Sequence, residues 1–216
     1  KVLEQALAEY IAAQTVNADR PEARMNLGLL YARRGDPVKA EAAYQAAIKL
    51  DPRFIPAYVN LSDLYRAMGR DAEGERALRD AARVAPNDAS VRHALGLLLV
   101  REKRLAEATA ELARAARLNP RNARYAYVHA IALDSAGRRA ECLRALEDNR
   151  RRHPADRDTL MALLSFNREA GENAAALNYA RQPRQLAPEG QGLSPLLRTA
   201  ARARSPAVAT QRGRAR

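Results

Sequence analysis

The sequence contains few aromatic residues, no tryptophan and a single cysteine. One cysteine excludes a disulfide framework and any zinc site built from several thiolates. No stretch of about 18 apolar residues occurs, so no transmembrane helix is predicted. The sequence also has no P-loop, no dinucleotide-binding fingerprint and no nucleophile-elbow motif. These absences remove the commonest signatures of an enzyme or a membrane-spanning protein.

Positive charge is the main excess, with a formal net charge of +12. Six arginines and no acidic residue lie within residues 198–216, so half of the excess belongs to this tail. Elsewhere both signs of charge are interspersed, as on an ordinary solvated surface. Nucleic-acid binding is therefore predicted only as an alternative that depends on the tail. The apolar residues are mostly Ala and Leu, which are good helix formers and indicate an all-α protein.

A period of 34 residues organises the chain. Prolines recur at this spacing at Pro52, Pro86, Pro120, Pro154 and Pro188. The same period relates glycines (Gly35, Gly69, Gly137, Gly171, with Lys103 in the third place), small residues (Ala6, Ala40, Gly74, Ala108, Cys142, Ala176) and leucines (Leu27, Leu61, Leu95, Leu163). We expect each glycine to end a first helix with φ > 0, and each proline to follow the end of a second helix.

The clearest copy, PEARMNLGLLYARRGDPVKAEAAYQAAIKLDPRF at residues 21–54, resembles the tetratricopeptide repeat. The signature residues of that family are matched by Leu27, Gly28, Tyr31, Gly35, Ala40, Tyr44, Ala47 and Pro52. The resemblance implies an all-α, right-handed superhelical solenoid of antiparallel helix pairs, with the first helix of each pair on the concave side. In the first copy the two helices are predicted roughly at 22–34 and 38–50.

This interpretation divides the chain into repeats. Residues 1–20 are expected to form the second helix of a truncated repeat of a larger bacterial protein. Full repeats follow at 21–54, 55–88, 89–122, 123–156 and 157–190, then a possible capping helix at 191–204 and a basic mobile tail at 205–216. The pattern weakens at His129, Asn149, Asn167 and Pro183. Because Pro183 lacks an N–H and should end or kink its helix, the fifth repeat is predicted to be the least regular.

No catalytic or metal-binding arrangement emerges from the residues. His93, His129 and His153 have no metal-ligand spacing, and His129 in a core column is predicted to be structural. Cys142 lies in the column of small residues, where burial would suppress thiol reactivity. The chain is therefore predicted not to be an enzyme and to need no cofactor or metal.

A partner-binding groove is the predicted functional site. The resemblance implies that positions 2, 5, 6, 9, 12 and 13 of each first helix line it. The candidates are Met25, Asn26, Leu29, Arg33, Val59, Asn60, Asp63, Arg66, His93, Leu97, Arg101, Tyr127, Ile131 and Asp134. Asn26 and Asn60 lie one repeat apart, and their amides can bind the backbone of an extended peptide. The apolar members have a second interpretation, namely packing against one another.

The basic carboxylate clamp of the chaperone-tail-binding relatives is absent. Counted from residue 21 only Asn60 fits its pattern, and counted from residue 55 only Arg124 fits. The leading hypothesis is a scaffold that binds a protein or peptide. Two alternatives stay open: polyanion binding through the arginine tail, and a spacer or self-association module. The sequence near residues 9–44 is also similar to repeat tails that follow redox domains, such as multihaem cytochromes, in exported bacterial proteins.

Overall fold

The computed structural model of the chain describes Glu9 and residues 11–13, 19–172 and 179. All regular secondary structure in this part is α-helical, which confirms the all-α prediction. The chain divides into two compact units, Lys1–Arg138 and Arg139–Arg216. Most of residues 1–20, where the second helix of a truncated repeat was predicted, lies outside the described residues. Pro183, the predicted capping helix at 191–204 and the predicted tail at 205–216 lie wholly outside them.

Nine helices are complete between residues 19 and 172. They are α1 (Pro21–Arg33), α2 (Pro37–Leu50), α3 (Ile55–Ala67), α4 (Asp71–Val84), α5 (Ala89–Arg101), α6 (Leu105–Leu118), α7 (Ala123–Ser135), α8 (Arg139–Arg152) and α9 (Arg157–Glu169). The odd-numbered helices, here called A helices, begin 34 residues apart, and so do the even-numbered B helices. Helices α1 and α2 each begin one residue before their predicted first residues, 22 and 38.

Short turns with defined chemistry end the A helices. Gly35, Gly69, Gly137 and Gly171 all have φ between 70° and 78°, as predicted. Lys103 takes the same left-handed conformation at φ 60°, although a side chain makes it unfavourable.

Each B helix ends two residues before its repeat proline. Side chains of Asp36, Asp88, Asn122 and Asp156 accept backbone N–H hydrogen bonds at helix N-termini.

In the first unit the helices stack in order. The A helices α1, α3 and α5 each pack on the B helix of their own repeat, and the B helices α2, α4 and α6 each pack on the next A helix. Leu27, Leu61 and Leu95 are buried in these contacts. A Cβ added to Gly28 would lie 2.4 Å from the Tyr44 ring, and one added to Gly96 would lie 2.5 Å from Leu112. The small residues of the A helices therefore make room for large side chains of the B helices.

A repeated ion pair links neighbouring repeats in this unit. Arg70 Nη1 lies 2.7 Å from Glu41, and Arg104 Nη1, one repeat later, lies 2.8 Å from Glu75. Arg104 also donates to Glu107, and this hydrogen bond lowers the pKa of the Glu107 carboxyl group. In the third repeat Thr109 stands where Glu41 and Glu75 stand in the first two. The pair is thus a feature of the first two junctions.

The second unit packs α8 against α9 around a polar contact. Cys142 is fully buried, as predicted, and so are Asn149 and Thr159. The Asn149 side-chain amide donates to Thr159 Oγ1 at 2.8 Å, and Thr159 Oγ1 donates to Asp156 at 2.6 Å. Asn149, which weakened the sequence pattern, is therefore accommodated by a hydrogen bond. Arg139 lies over the Phe166 ring at 3.9 Å from its centroid.

Candidate partner-binding site

A cleft of about 230 Å³ opens between α3 and α5 in the first unit. Its lining comes from α3 (Val59, Ser62, Asp63), α4 (Leu78), α5 (Ser90, His93, Ala94, Leu97, Arg101) and α7 (Tyr125). The walls are mainly the exposed faces of two A helices, and buried Leu78 lies at the base. The cleft combines apolar side chains with a carboxylate, a guanidinium and an imidazole.

Helical periodicity places these residues on common faces. On α5 the lining residues follow the spacing i, i+3, i+4, i+7, i+11, and on α3 the spacing is i, i+3, i+4. Such residues lie above one another on one side of a helix. Asp88 fixes the start of α5 by accepting from the backbone N–H groups of Ser90 and Val91. Asn122 does the same for α7, the helix that carries Tyr125.

His93 and Tyr125 form one wall of the cleft. Their ring centroids are 4.6 Å apart and the ring planes are inclined by 36°. His93 Nδ1 is buried and makes no hydrogen bond within the described residues. Burial lowers the pKa of His93, and the charge of Arg124 lowers it further. His93 is therefore a neutral ring at pH 7, because protonation would bury an unpaired N–H bearing part of a positive charge.

The two charged residues of the cleft differ in their surroundings. Asp63 is exposed and forms an ion pair with Arg66, at 3.4 Å, on its own helix. Arg101 is exposed and has no hydrogen-bond or ion-pair partner in the part of the chain that the structure describes. The cleft therefore offers one uncommitted positive charge.

Five of the predicted groove residues meet in this cleft: Val59, Asp63, His93, Leu97 and Arg101. The other nine lie elsewhere on the A helices. Met25 and Leu29 pack against the core cluster that contains Tyr44 and Tyr65. For these two, and in part for Val59, the packing interpretation applies. Arg33 and Arg66 are exposed, whereas Tyr127, Ile131 and Asp134 on α7 are half-buried.

The two asparagines are half-buried on neighbouring A helices. Asn60 Nδ2 donates to the backbone carbonyl of Pro56 on its own helix at 2.9 Å. One donor of this amide is thereby used inside the chain. Among the described residues, the carbonyl oxygen and the second N–H of Asn60 have no hydrogen-bond partner.

Sequence reasoning missed Ser62, Leu78, Ser90, Ala94 and Tyr125. Ser90 and Ala94 occupy groove positions 2 and 6, so a full application of the position rule would have included them. Tyr125 takes the place held by Ala23, Ala57 and Val91 in the preceding repeats. A large ring at a repeat position that holds smaller residues elsewhere indicates that this position has a different role in the fourth repeat.

The described residues were also searched for metal-ligand groups and for membrane-spanning helices. No group of three or more His, Cys, Asp or Glu side chains is placed there to hold a metal ion. No helix in that part of the chain has the length and apolar character that a membrane span requires.

Family models for the tetratricopeptide repeat match residues 21–54 and 59–123. Residues 21–123 therefore contain tetratricopeptide repeats. A comparison with curated proteins finds no match. With these repeats the chain has the fold of a protein-interaction scaffold, and the family is typically non-catalytic.

Solved structures show the same fold at low sequence identity. PilF of Pseudomonas aeruginosa is 21% identical with a TM-score of 0.68, over 85% of this chain and 83% of that one. YrrB, described as a tetratricopeptide-repeat protein with an unusual peptide-binding site, is 19% identical with a TM-score of 0.59, over 90% and 96%. Yeast Tom70 is 15% identical with a TM-score of 0.72, over 92% of this chain and 43% of that one.

Proposed function

We propose that this protein is a non-catalytic scaffold that binds a peptide segment of a partner across its A helices, with the cleft between α3 and α5 as the main contact. The observation that carries the proposal is the stripe on α5, where partly exposed Leu97 and Ala94 line a recess beside Arg101. Apolar side chains in a concave site with a few polar groups are typical of ligand-binding surfaces. The peptide-binding site described for the structurally similar YrrB supports the same use of the fold.

The neighbouring A helices extend this contact. A peptide that enters the cleft and continues toward α1 would pass Asn60 and then Asn26, one repeat apart. Their amides supply hydrogen bonds to a peptide backbone without reading its sequence, whereas the cleft selects a side chain. Tyr127, Ile131 and Asp134 would contact the segment on the other side of the cleft.

The test uses matched substitutions at one repeat position. Leu97 and Ile131 both occupy position 9 of their repeats, and only Leu97 lines the cleft. Peptides selected from a random 12-residue display library on the wild-type chain are titrated, by fluorescence polarisation, against Leu97→Arg and Ile131→Arg. We expect Leu97→Arg to weaken binding at least about tenfold, because an apolar contact is replaced by a charge. Ile131→Arg should weaken binding less than Leu97→Arg does, because Ile131 lies outside the cleft that supplies the main contact.

Two further variants make the outcome decisive. Ala94→Met fills the cleft without adding charge, and thermal melts verify that each variant is folded. The proposal fails if the peptides bind Leu97→Arg and Ala94→Met as well as they bind the wild type. A chain that ends at residue 197 tests the arginine tail, because loss of binding in this version would favour polyanion-type contacts. Sedimentation at several concentrations separates peptide binding from self-association.

A further inference from the structure

We infer that the cleft accepts one aromatic side chain of the partner peptide, with a carboxylate next to it that binds Arg101. This inference rests on the proposed function and adds the chemistry of the ligand. Arg101 occupies position 13 of its repeat, which is not a position of the carboxylate clamp considered in the sequence analysis.

The size of the cleft limits its occupant to a single side chain. Its volume of about 230 Å³ lies below the roughly 300–1,000 Å³ of sites that enclose a drug-sized molecule. It exceeds the roughly 150 Å³ of an engineered protein cavity that binds benzene. One aromatic ring therefore fits, whereas an entire helix or a large cofactor does not.

The wall of the cleft favours an aromatic occupant over an aliphatic one. His93 and Tyr125 present two rings in contact with each other, and Val59, Ala94 and Leu97 complete an apolar lining. Rings gain free energy from offset or edge-to-face contact beyond the area that they bury. Because burial lowers the pKa of His93, its ring is uncharged and can pack against the ligand without desolvating a cation.

The charges of the cleft favour an anion beside that ring. Asp63 is compensated by Arg66, whereas the guanidinium of Arg101 lacks a partner among the described residues. Arginine binds carboxylates through two parallel N–H···O hydrogen bonds. Arg101 also lies in the last turn of α5, so the negative end of the helix dipole does not add to its attraction for an anion. A ligand carboxylate must reach the guanidinium itself.

The experiment uses three defined probes on the uniformly ¹⁵N-labelled full chain. They are N-acetylphenylalanine, its neutral amide N-acetylphenylalaninamide, and N-acetylleucine. Amide shifts in ¹H–¹⁵N spectra report binding at Ala94, Leu97 and Arg101. We expect N-acetylphenylalanine to bind with a dissociation constant on the order of 1 mM. The neutral amide should bind about threefold to tenfold more weakly, and the leucine derivative about twofold to tenfold more weakly.

Arg33 supplies a matched control for Arg101. It occupies the same position 13 on α1, is exposed, and has no ion-pair partner within the described residues. Arg101→Gln should abolish the preference for the acid over the amide, whereas Arg33→Gln should retain it. Equal binding of acid and amide by the wild type, or an unchanged preference in Arg101→Gln, overturns the assignment of the carboxylate.

The remaining outcomes separate this inference from the proposed function. Equal binding of the leucine and phenylalanine derivatives overturns the aromatic part. If no probe shifts the cleft amides while library peptides still need Leu97, the ligand assignment is wrong and the scaffold function stands. If library peptides bind the Leu97→Arg and Ala94→Met variants normally, the proposed function fails, and this inference fails with it.

Discussion

Ala81 and Val91 in the first unit, and Asn149 and Thr159 in the second, occupy the same two positions of the repeat. All four residues are fully buried. The first pair belongs to an apolar cluster with Ile55 and Tyr58, whereas the second is joined by a hydrogen bond of 2.8 Å. The repeat therefore fixes where a side chain is buried but not which interaction it makes. In the polar pair the buried amide N–H of Asn149 finds its acceptor in the side chain at the other position.

Ala115 and Tyr125 occupy the same two positions of the repeat, and here one of the two side chains is partly exposed. Ala115 is fully buried, whereas Tyr125 is half-buried. It reaches His93 and lines the cleft. Variation at one position of the repeat thus changes a buried contact into part of the candidate binding site.

The largest effect on stability is expected when the asparagine of the polar pair is introduced beside Val91 without its threonine partner. Ala81→Asn adds volume and an unpaired amide to a site with no free space, so we expect a loss of about 3 kcal/mol or more in the free energy of unfolding. Adding Val91→Thr should recover at least about 1 kcal/mol by supplying the partner. Urea denaturation followed by circular dichroism measures both. A loss below about 0.5 kcal/mol for the single variant would show that the two sites are not comparable.

Removing half of the polar pair should have the next largest effect. Asn149→Ala and Thr159→Val each delete one partner of a buried hydrogen bond, which costs about 1–3 kcal/mol. The double variant restores an apolar pair like that of Ala81 and Val91, so its loss should be smaller than the sum of the two single losses. Hydrogen exchange of amides in α8 and α9 measures this local stability. Strictly additive losses would contradict the coupling.

The ion pair between repeats should contribute less than either buried pair. Arg104→Gln removes the contacts to Glu75, Glu102 and Glu107. We expect a small loss of stability that diminishes in high salt, because these side chains are partly exposed and water and ions screen their charges. Arg76→Gln, an exposed substitution on α4, is the control and should be neutral. A loss for Arg104→Gln that is unchanged in 1 M salt would point to packing and not to charge.

The smallest expected effect concerns the ring pair and appears as a dependence on pH. The folded-state pKa of His93 is lowered, first by burial and then by Arg124. The unfolded chain therefore takes up a proton near pH 6.5 before the folded chain does, and stability falls as the pH drops from about 6.5 toward the folded-state pKa. His93→Phe keeps a ring against Tyr125 but does not titrate. Its free energy of unfolding should vary less between pH 7 and 5 than that of the wild type, and equal slopes would contradict this account.

The repeat made much of the fold predictable. Glycines and prolines at a fixed spacing located the ends of the helices, and the leucine columns located the core, because backbone conformation and burial recur with the period. Side-chain partners did not follow in the same way. Asn149 contacts Thr159 of the next repeat. Neither the glycine and proline spacing nor the leucine columns predict this contact. The cleft depends on how far Tyr125 reaches across from α7, and the hydrogen bond of Asn60 depends on a carbonyl of its own helix.

The ion pairs between repeats have a consequence for how such a chain changes in length. Glu41 and Glu75 hold equivalent places, as do Arg70 and Arg104, so deletion of residues 55–88 would bring Glu41 opposite Arg104 and Ala47 opposite Val91. The one new junction would be chemically matched at both contacts, so a whole repeat could be removed at this point without losing them. The cleft draws its lining from three successive repeats and would be lost. Length can therefore vary by whole repeats, whereas binding specificity belongs to one order of repeats.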